Sequence, residues 1–267
     1  MSALALEADL ELAREAVAAA GALALSHFCT GRKSWYKGPG QVVTEADLAV
    51  DALLHEVLRD ARPDYGWLSE ERVDDRSRTR CPRAWVVDPI DGTRAFADGV
   101  PQFAISVALV EGGAPLLGVV LNPATDELFE ASSGGGAWRN GSRLRVSGRT
   151  DLAGAELLSS RTEMKRRHWP GMIPEARFTT IGSLAYKLAL IASGRFDGLV
   201  SLRASHDWDI AAAQLMVGEA GGHVTDAAGR AVVLNQETPR HAGLAVAATA
   251  RLHDALLARL ETVATAP

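Results

Sequence analysis

Cysteine is scarce in this chain, and positive charge is not in excess. Only Cys29 and Cys81 occur in 267 residues. Two cysteines are too few for a disulfide framework and are not spaced as a zinc site, so a reducing, cytoplasmic compartment is the expectation. Lys and Arg number 28 against 33 Asp and Glu, a formal net charge of −5. That balance argues against a nucleic-acid polymer or an anionic membrane as partner. It leaves room for a small anionic substrate if metal ions reverse the local field. Long apolar runs are missing too. The longest early uncharged run, Ala16 to Thr30, falls short of the ~20 residues a membrane span needs. The start carries Glu7, Asp9, Glu11, Arg14 and Glu15, which is not the positive opening of a signal peptide.

Apolar residues are present in quantity, at 47%, which excludes a disordered chain. The length suits one large or two small domains with a sizeable core. Apolar spacing predicts a helix over Leu6–Phe28, a loop from Gly31 to Gly40, and a second helix after an N-cap at Thr44. Strand patterns follow at 84–87, 103–110, 116–121 and 128–131, with turns at Gly112-Gly113 and Asn140-Gly141. This reads as an antiparallel meander. The last third alternates: a helix over 183–193 closed by Gly194, a strand over 197–202, and a helix capped by Asp207 that runs to Glu219. Short strands at 223–225 and 244–248 and a helix at 252–263 complete it. The stretch 147–155 divides the chain into subdomains 1–146 and 147–267, both contributing to one compact unit.

The densest chemical signal is Trp85-Val86-Val87-Asp88-Pro89-Ile90-Asp91-Gly92-Thr93. Two carboxylates three residues apart follow a buried strand, with Pro89 fixing the backbone between them and Gly92 allowing a sharp turn. Hard cations take carboxylate and carbonyl oxygens of this kind, including that of Ile90. An ordinary Asp-rich turn is the competing reading. Ser69-Glu70-Glu71 and Trp208-Asp209-Ile210-Ala211-Ala212 add acids, although an acidic pair can be a solvated loop and an Asp before a helix can be a mere cap. Ala211 and Ala212 would admit close approach of other backbone. Glu70, Asp88, Asp91, Asp209 and Asp47 all sit at element ends beside apolar residues. In one cleft they would repel one another, and divalent ions would relieve that repulsion.

These motifs, with Val43-Thr44-Glu45-Ala46-Asp47 upstream and Glu219-Ala220-Gly221-Gly222 downstream, resemble the inositol monophosphatase superfamily of Mg²⁺-dependent, lithium-sensitive phosphatases. They span residues 43–222 in the family's order. The resemblance implies an α+β fold layered αβαβα, commonly a homodimer. It implies that Glu70, Asp88, the Ile90 carbonyl, Asp91 and Asp209 hold two or three Mg²⁺ ions, which polarise the phosphate and acidify a bound water. Thr93 and Glu70 would orient that water, with Asp47 supporting Thr93. The backbone of Gly92 and Thr93 would hold the phosphate.

Departures bear on the substrate, a small phosphorylated metabolite. Inositol-specific members carry a Glu seven residues before the Trp-Asp aspartate, where this chain has Leu202. The segment Ile181-Gly182-Ser183-Leu184 with Lys187 resembles the bisphosphate nucleotidase branch, with Ser183 donating to substrate and Lys187 or Arg94 meeting a second phosphate. The competing readings are a helix cap for Ser183 and solvated charges for Lys187 and Arg94. A 3′(2′),5′-bisphosphate nucleotide is therefore the favoured substrate. Inositol 1-phosphate, another polyol phosphate and histidinol phosphate are alternatives, as is a non-catalytic phosphate-binding protein. His206 reads as packing or rim, since Mg²⁺ prefers oxygen. The six tryptophans read as mostly core, and Trp35, Tyr36 and Lys37 fall in a loop able to approach the site.

Overall fold

Helical spacing of apolar residues builds the outer layer. In the computed structural model, which describes residues 3–29, 34–38, 41–167 and 172–264, α1 spans Ala3–Cys29 and α2 spans Glu45–Ala61. Leu10, Ala13, Val17, Ala20 and Ala24 of α1 are buried with Val50, Leu54 and Leu58 of α2. Thr44 caps α2 as expected. The Asp47 carboxylate accepts from the Thr44 N–H at 2.8 Å, closing a reciprocal box. The expected Gly31–Gly40 loop is corrected in part. Ser34–Gly38 (β1) pairs antiparallel with Gln41–Thr44 (β2), a hairpin favoured by Trp35, Tyr36, Val42 and Val43. Residues 30–33 and 39–40 lie outside the described ones.

A seven-stranded sheet runs β3 (Gly66–Ser69), β4 (Arg83–Asp91), β5 (Ala104–Glu111), β6 (Ala114–Asn122), β7 (Glu127–Ser132), β8 (Gly136–Arg139) and β9 (Ser142–Arg143), adjacent in that order. Only the β3–β4 pair is parallel. The predicted meander is present, and Asn140 and Gly141 turn it with positive φ at both positions. The second sheet has the order β11 (Arg177–Thr180), β10 (Glu156–Ser159), β12 (Gly198–His206), β14 (Arg240–Ala247), β13 (His223–Thr225). Remaining helices are α3 (Thr93–Ala97), α4 (Arg161–Arg167), α5 (Leu184–Ala192), α6 (Asp207–Glu219) and α7 (Ala250–Ala264). Among the described residues no helix is long and apolar enough to cross a membrane.

Period-two burial sets the layer order. Trp85, Val87, Ile105, Val107 and Leu109 face α1 and α2. Val86, Ala104, Ala108 and Val110 face Leu188, Ile191, Ile210, Ala212 and Met216 of α5 and α6. Those helices also meet Leu158, Leu199, Leu244 and Val246 of the second sheet. Leu157, Val200, Ala245 and Ala247 on its other face pack on Leu252, Leu256 and Leu260 of α7. The stack is αβαβα, and β4 and β5 are apolar on both faces because both are covered. The sheets fall on either side of residue 146, and the central helices from the later part join both into one core.

Candidate metal site

A one-residue irregularity aims the two signature aspartates. Asp88 pairs with Ser106 but Asp91 pairs with Ala104, so β4 holds one residue more than β5 across Pro89 and Ile90. Residues i and i+3 of a regular strand point to opposite faces. The bulge absorbs one position and puts both carboxylates on one side. Pro89 suits the bulge because it has no ladder N–H to lose. Gly92 then turns the chain with φ +93°. A Cβ there would stand 2.9 Å from the Gln102 carbonyl oxygen and 3.2 Å from Ser183, so this position takes glycine.

Asp209 arrives from the third residue of α6, its carboxylate accepting the His206 N–H at 2.6 Å. One carboxylate oxygen each from Asp88, Asp91 and Asp209 lies within 4.8 Å of the others. Glu70 extends β3 beside β4, its N–H donating to the Val87 carbonyl at 3.3 Å, which brings its charge to bear on Asp88. It does not join the tight group of three. Burial, then the charges of Glu70, Asp91, Asp209 and Asp47, hold the Asp88 carboxyl well above the usual range. Burial and Asp209 push Asp91 up to about 7, against hydrogen bonds from Ser183 and Ala185 and the charge of Lys187. The Asp88 Oδ1 accepts the Ile90 N–H at 3.1 Å, while its Oδ2 is sealed from solvent with no hydrogen-bond partner. A buried, orphaned carboxylate oxygen beside two more acids costs several kcal/mol as it stands. An all-oxygen cation site removes that cost, so the donor set fits a hard divalent ion.

Thr93 opens α3. Its Oγ1 lies 3.0 Å from an Asp47 carboxylate oxygen and 3.0 Å from the Ile90 carbonyl. One hydroxyl proton serves one of these acceptors at a time, leaving a lone pair for a water. Arg94 is exposed on α3. Two expectations are revised. Ser183 is fully buried. Its hydroxyl donates to Asp91 at 2.6 Å and accepts the Tyr186 N–H at 3.0 Å, so it caps α5 and holds a candidate ligand instead of reaching substrate. Asp207 is not the cap of α6. His206 holds that place, and the Asp207 carboxylate accepts the Asn235 N–H and meets His241 Nε2, each at 2.6 Å.

Lys187 is only 4% exposed, so it is not a solvated lysine. Burial and Arg203 lower its pKa, opposed by Asp91, Glu163 and Asp209. Glu163 on α4 is buried, and it accepts the Leu202 N–H at 2.7 Å. Sequence reading missed it because Ser160-x-x-Glu163 looks like a plain capping box. The Leu202 side chain packs into the α7 core. The His206 ring stacks on Trp208 with centroids 4.5 Å apart. Trp35 is exposed, and the side chains of Tyr36 and Lys37 lie outside the described ones.

The Inositol monophosphatase family model matches residues 5–265. The inositol-1-monophosphatase of Rhizobium meliloti is 42% identical over 203 residues, covering 72% of this chain and 75% of that one. The Nus factor SuhB of Pasteurella multocida is 37% identical over 198 residues, covering 71% and 73%. The solved structure of a Thermotoga maritima IMPase superposes with a TM-score of 0.84 at 31% identity, covering 96% of this chain and 97% of that one. With the acids gathered at the head of α6 and the family's extent matched almost end to end, the chain belongs to the inositol monophosphatase family of metal-dependent phosphatases.

Proposed function

We propose that the chain is a Mg²⁺-dependent phosphomonoesterase acting on a small polyol phosphate, inositol 1-phosphate or a close relative. The carrying observation is the orphaned Asp88 oxygen within the buried group of Asp88, Asp91 and Asp209. Glu70 and the Ile90 carbonyl complete a donor set for two or three ions. Bound Mg²⁺ supplies charge neutralisation at the phosphate and a more acidic water. The chain's residues supply position. Asp47 holds Thr93, and Thr93 with Glu70 orients the attacking water. The backbone at Gly92 and Thr93 faces the phosphate, and Arg94 stands at the edge. A cytoplasmic homodimer inhibited by lithium belongs to the same reading. The names of the relatives favour an inositol phosphate as substrate.

A second reading, a 3′(2′),5′-bisphosphate nucleotide, rests on the buried Lys187 as a second-phosphate contact. Phosphate release with and without Mg²⁺, compared on inositol 1-phosphate, 3′-phosphoadenosine 5′-phosphate and histidinol phosphate, tests both. The expected result is a kcat/KM preference of ~100-fold for the polyol, about 2.7 kcal/mol. A nucleotide preference of that size would replace the first reading with the second. Absence of Mg²⁺-dependent release from all three would overturn both.

A further inference from the structure

We infer that Glu163 and Lys187 form the wall that reads the alcohol half of the ester, and that this wall accepts a hydroxyl-bearing, uncharged alcohol and rejects a second phosphate. The inference rests on the phosphatase reading above and sharpens its substrate class. Lys187 lies one helical turn beyond Ser183 on α5, so the two share a face, and Ser183 is the residue that donates to Asp91. Glu163 is fastened to Leu202 on β12, the strand that runs into α6 and Asp209. Lys187 therefore stands on the helix whose cap holds Asp91, and Glu163 is tied to the strand that leads into Asp209.

Each is more than nine-tenths buried, with Glu163 at 3% and Lys187 at 4% exposed. A lysine so buried is ordinarily paired. Among the described residues the Lys187 ammonium has no hydrogen-bond or ion-pair partner, yet it is not among the polar atoms sealed from solvent. Glu163 spends one oxygen on the Leu202 N–H, and its other oxygen has no partner among the described residues. One acceptor and one donor are thus left for a ligand.

Charge decides which ligand. With Asp91 and Asp209 engaged by cations, Glu163 is the carboxylate still acting on Lys187, against the positive charge of Arg203. A second phosphate at the free Glu163 oxygen would set like charge against like and leave that acceptor without a donor. Neighbouring hydroxyls can donate to the carboxylate and accept from the ammonium together.

Three esters read this on the full-length protein with Mg²⁺: inositol 1-phosphate, its hydroxyl-free counterpart cyclohexyl phosphate, and 3′-phosphoadenosine 5′-phosphate. The wild type is expected to prefer inositol 1-phosphate over cyclohexyl phosphate by ~10-fold or more in kcat/KM. Glu163→Gln keeps an acceptor for the Leu202 N–H and so keeps the fold. It should remove most of that preference through KM, leave cyclohexyl phosphate within ~2-fold, and leave the nucleotide equal or improved. Lys187→Met should also erase the preference. Equal losses on all three esters would make Glu163 a structural residue and overturn the inference. Parity of the two cyclic esters on the wild type would overturn it without any variant. Failure of the wild type to hydrolyse any of the three esters would instead remove the phosphatase reading beneath it.

Discussion

Asp91 shows how one side chain can be both a liability and an instrument. Its carboxylate is buried, shares space with Asp88 and Asp209, and is anchored by Ser183 and the Ala185 N–H on the same oxygen. Asp91→Asn keeps an amide oxygen to accept those bonds while deleting the charge. Mg²⁺-dependent kcat/KM should fall by at least ~100-fold. The thermal midpoint without metal should hold or rise, because a repelling buried charge is gone. Assay and melt together distinguish this outcome from simple unfolding. A variant that retains full activity would remove Asp91 from the metal assignment. The type and order of these acids were legible in the sequence, because Asp-Pro-Ile-Asp-Gly-Thr confines the chemistry to a few residues. Their aim was not, since it comes from a bulge defined against β5, a partner that local pattern does not reveal. Ser183 was misjudged for the same reason. A serine before a helix reads alike whether its hydroxyl faces substrate or Asp91, and only the fold brings Asp91 to it.

Helix α6 is the element on which the site depends, since Asp209 rides on its first turn. It lies unusually close to β6. A Cβ at Gly118 would stand 2.5 Å from the Ala212 carbonyl oxygen and 2.6 Å from its Cα. This is backbone against backbone, with no flexible tip to yield. Gly118→Ala must therefore lift α6 from the sheet. A loss of about 1–3 kcal/mol follows, a fall in Tm of roughly 2–4 °C for each kcal/mol. Displacing Asp209 should also raise the Mg²⁺ concentration for half-maximal activity several-fold. A variant that melts lower with unchanged Mg²⁺ dependence would show that the packing and the site are uncoupled. The small pair Ala211 and Ala212 announced close approach in the sequence. Gly118 inside a strand pattern did not announce its partner, 94 positions away. The strongly periodic elements, α1, α2 and the meander, were legible because one buried face dictates each. Strands β10 and β11, four residues each, were not, because four residues cannot establish a period and their pairing is non-local.

Across the whole molecule, the central helices hold the two sheets together, but the outermost layer depends on α7, which has a titratable residue at its inner face. His253 is 7% exposed, and its Nε2 lies 2.9 Å from the Thr225 Oγ1 of β13. Burial, and next the neighbouring charge of His223, lower its pKa, with Asp254 and the Ala245 backbone opposing. A histidine whose pKa is lower in the folded chain than in the unfolded chain is protonated first in the unfolded state. Its contribution is then fully present above the unfolded pKa near 6.5 and is lost as pH falls from there toward the folded value. The slope from this one group is at most about 1.4 kcal/mol per pH unit. Without metal, the raised carboxyls of Asp88 and Asp91 add the opposite trend, stability gained as pH falls. His253→Gln retains a polar contact to Thr225 without a titrating group, so in urea unfolding between pH 8 and 5 the variant should gain stability relative to the wild type below about pH 6.5. Its midpoint near neutrality should change little. Because α7 closes the second sheet at the face away from α6, Mg²⁺-dependent turnover at pH 7.5 should be the same in the variant as in the wild type. An unchanged acid slope in the variant would assign the pH dependence to another group, and lost turnover would mean that the α7 layer communicates with the metal site.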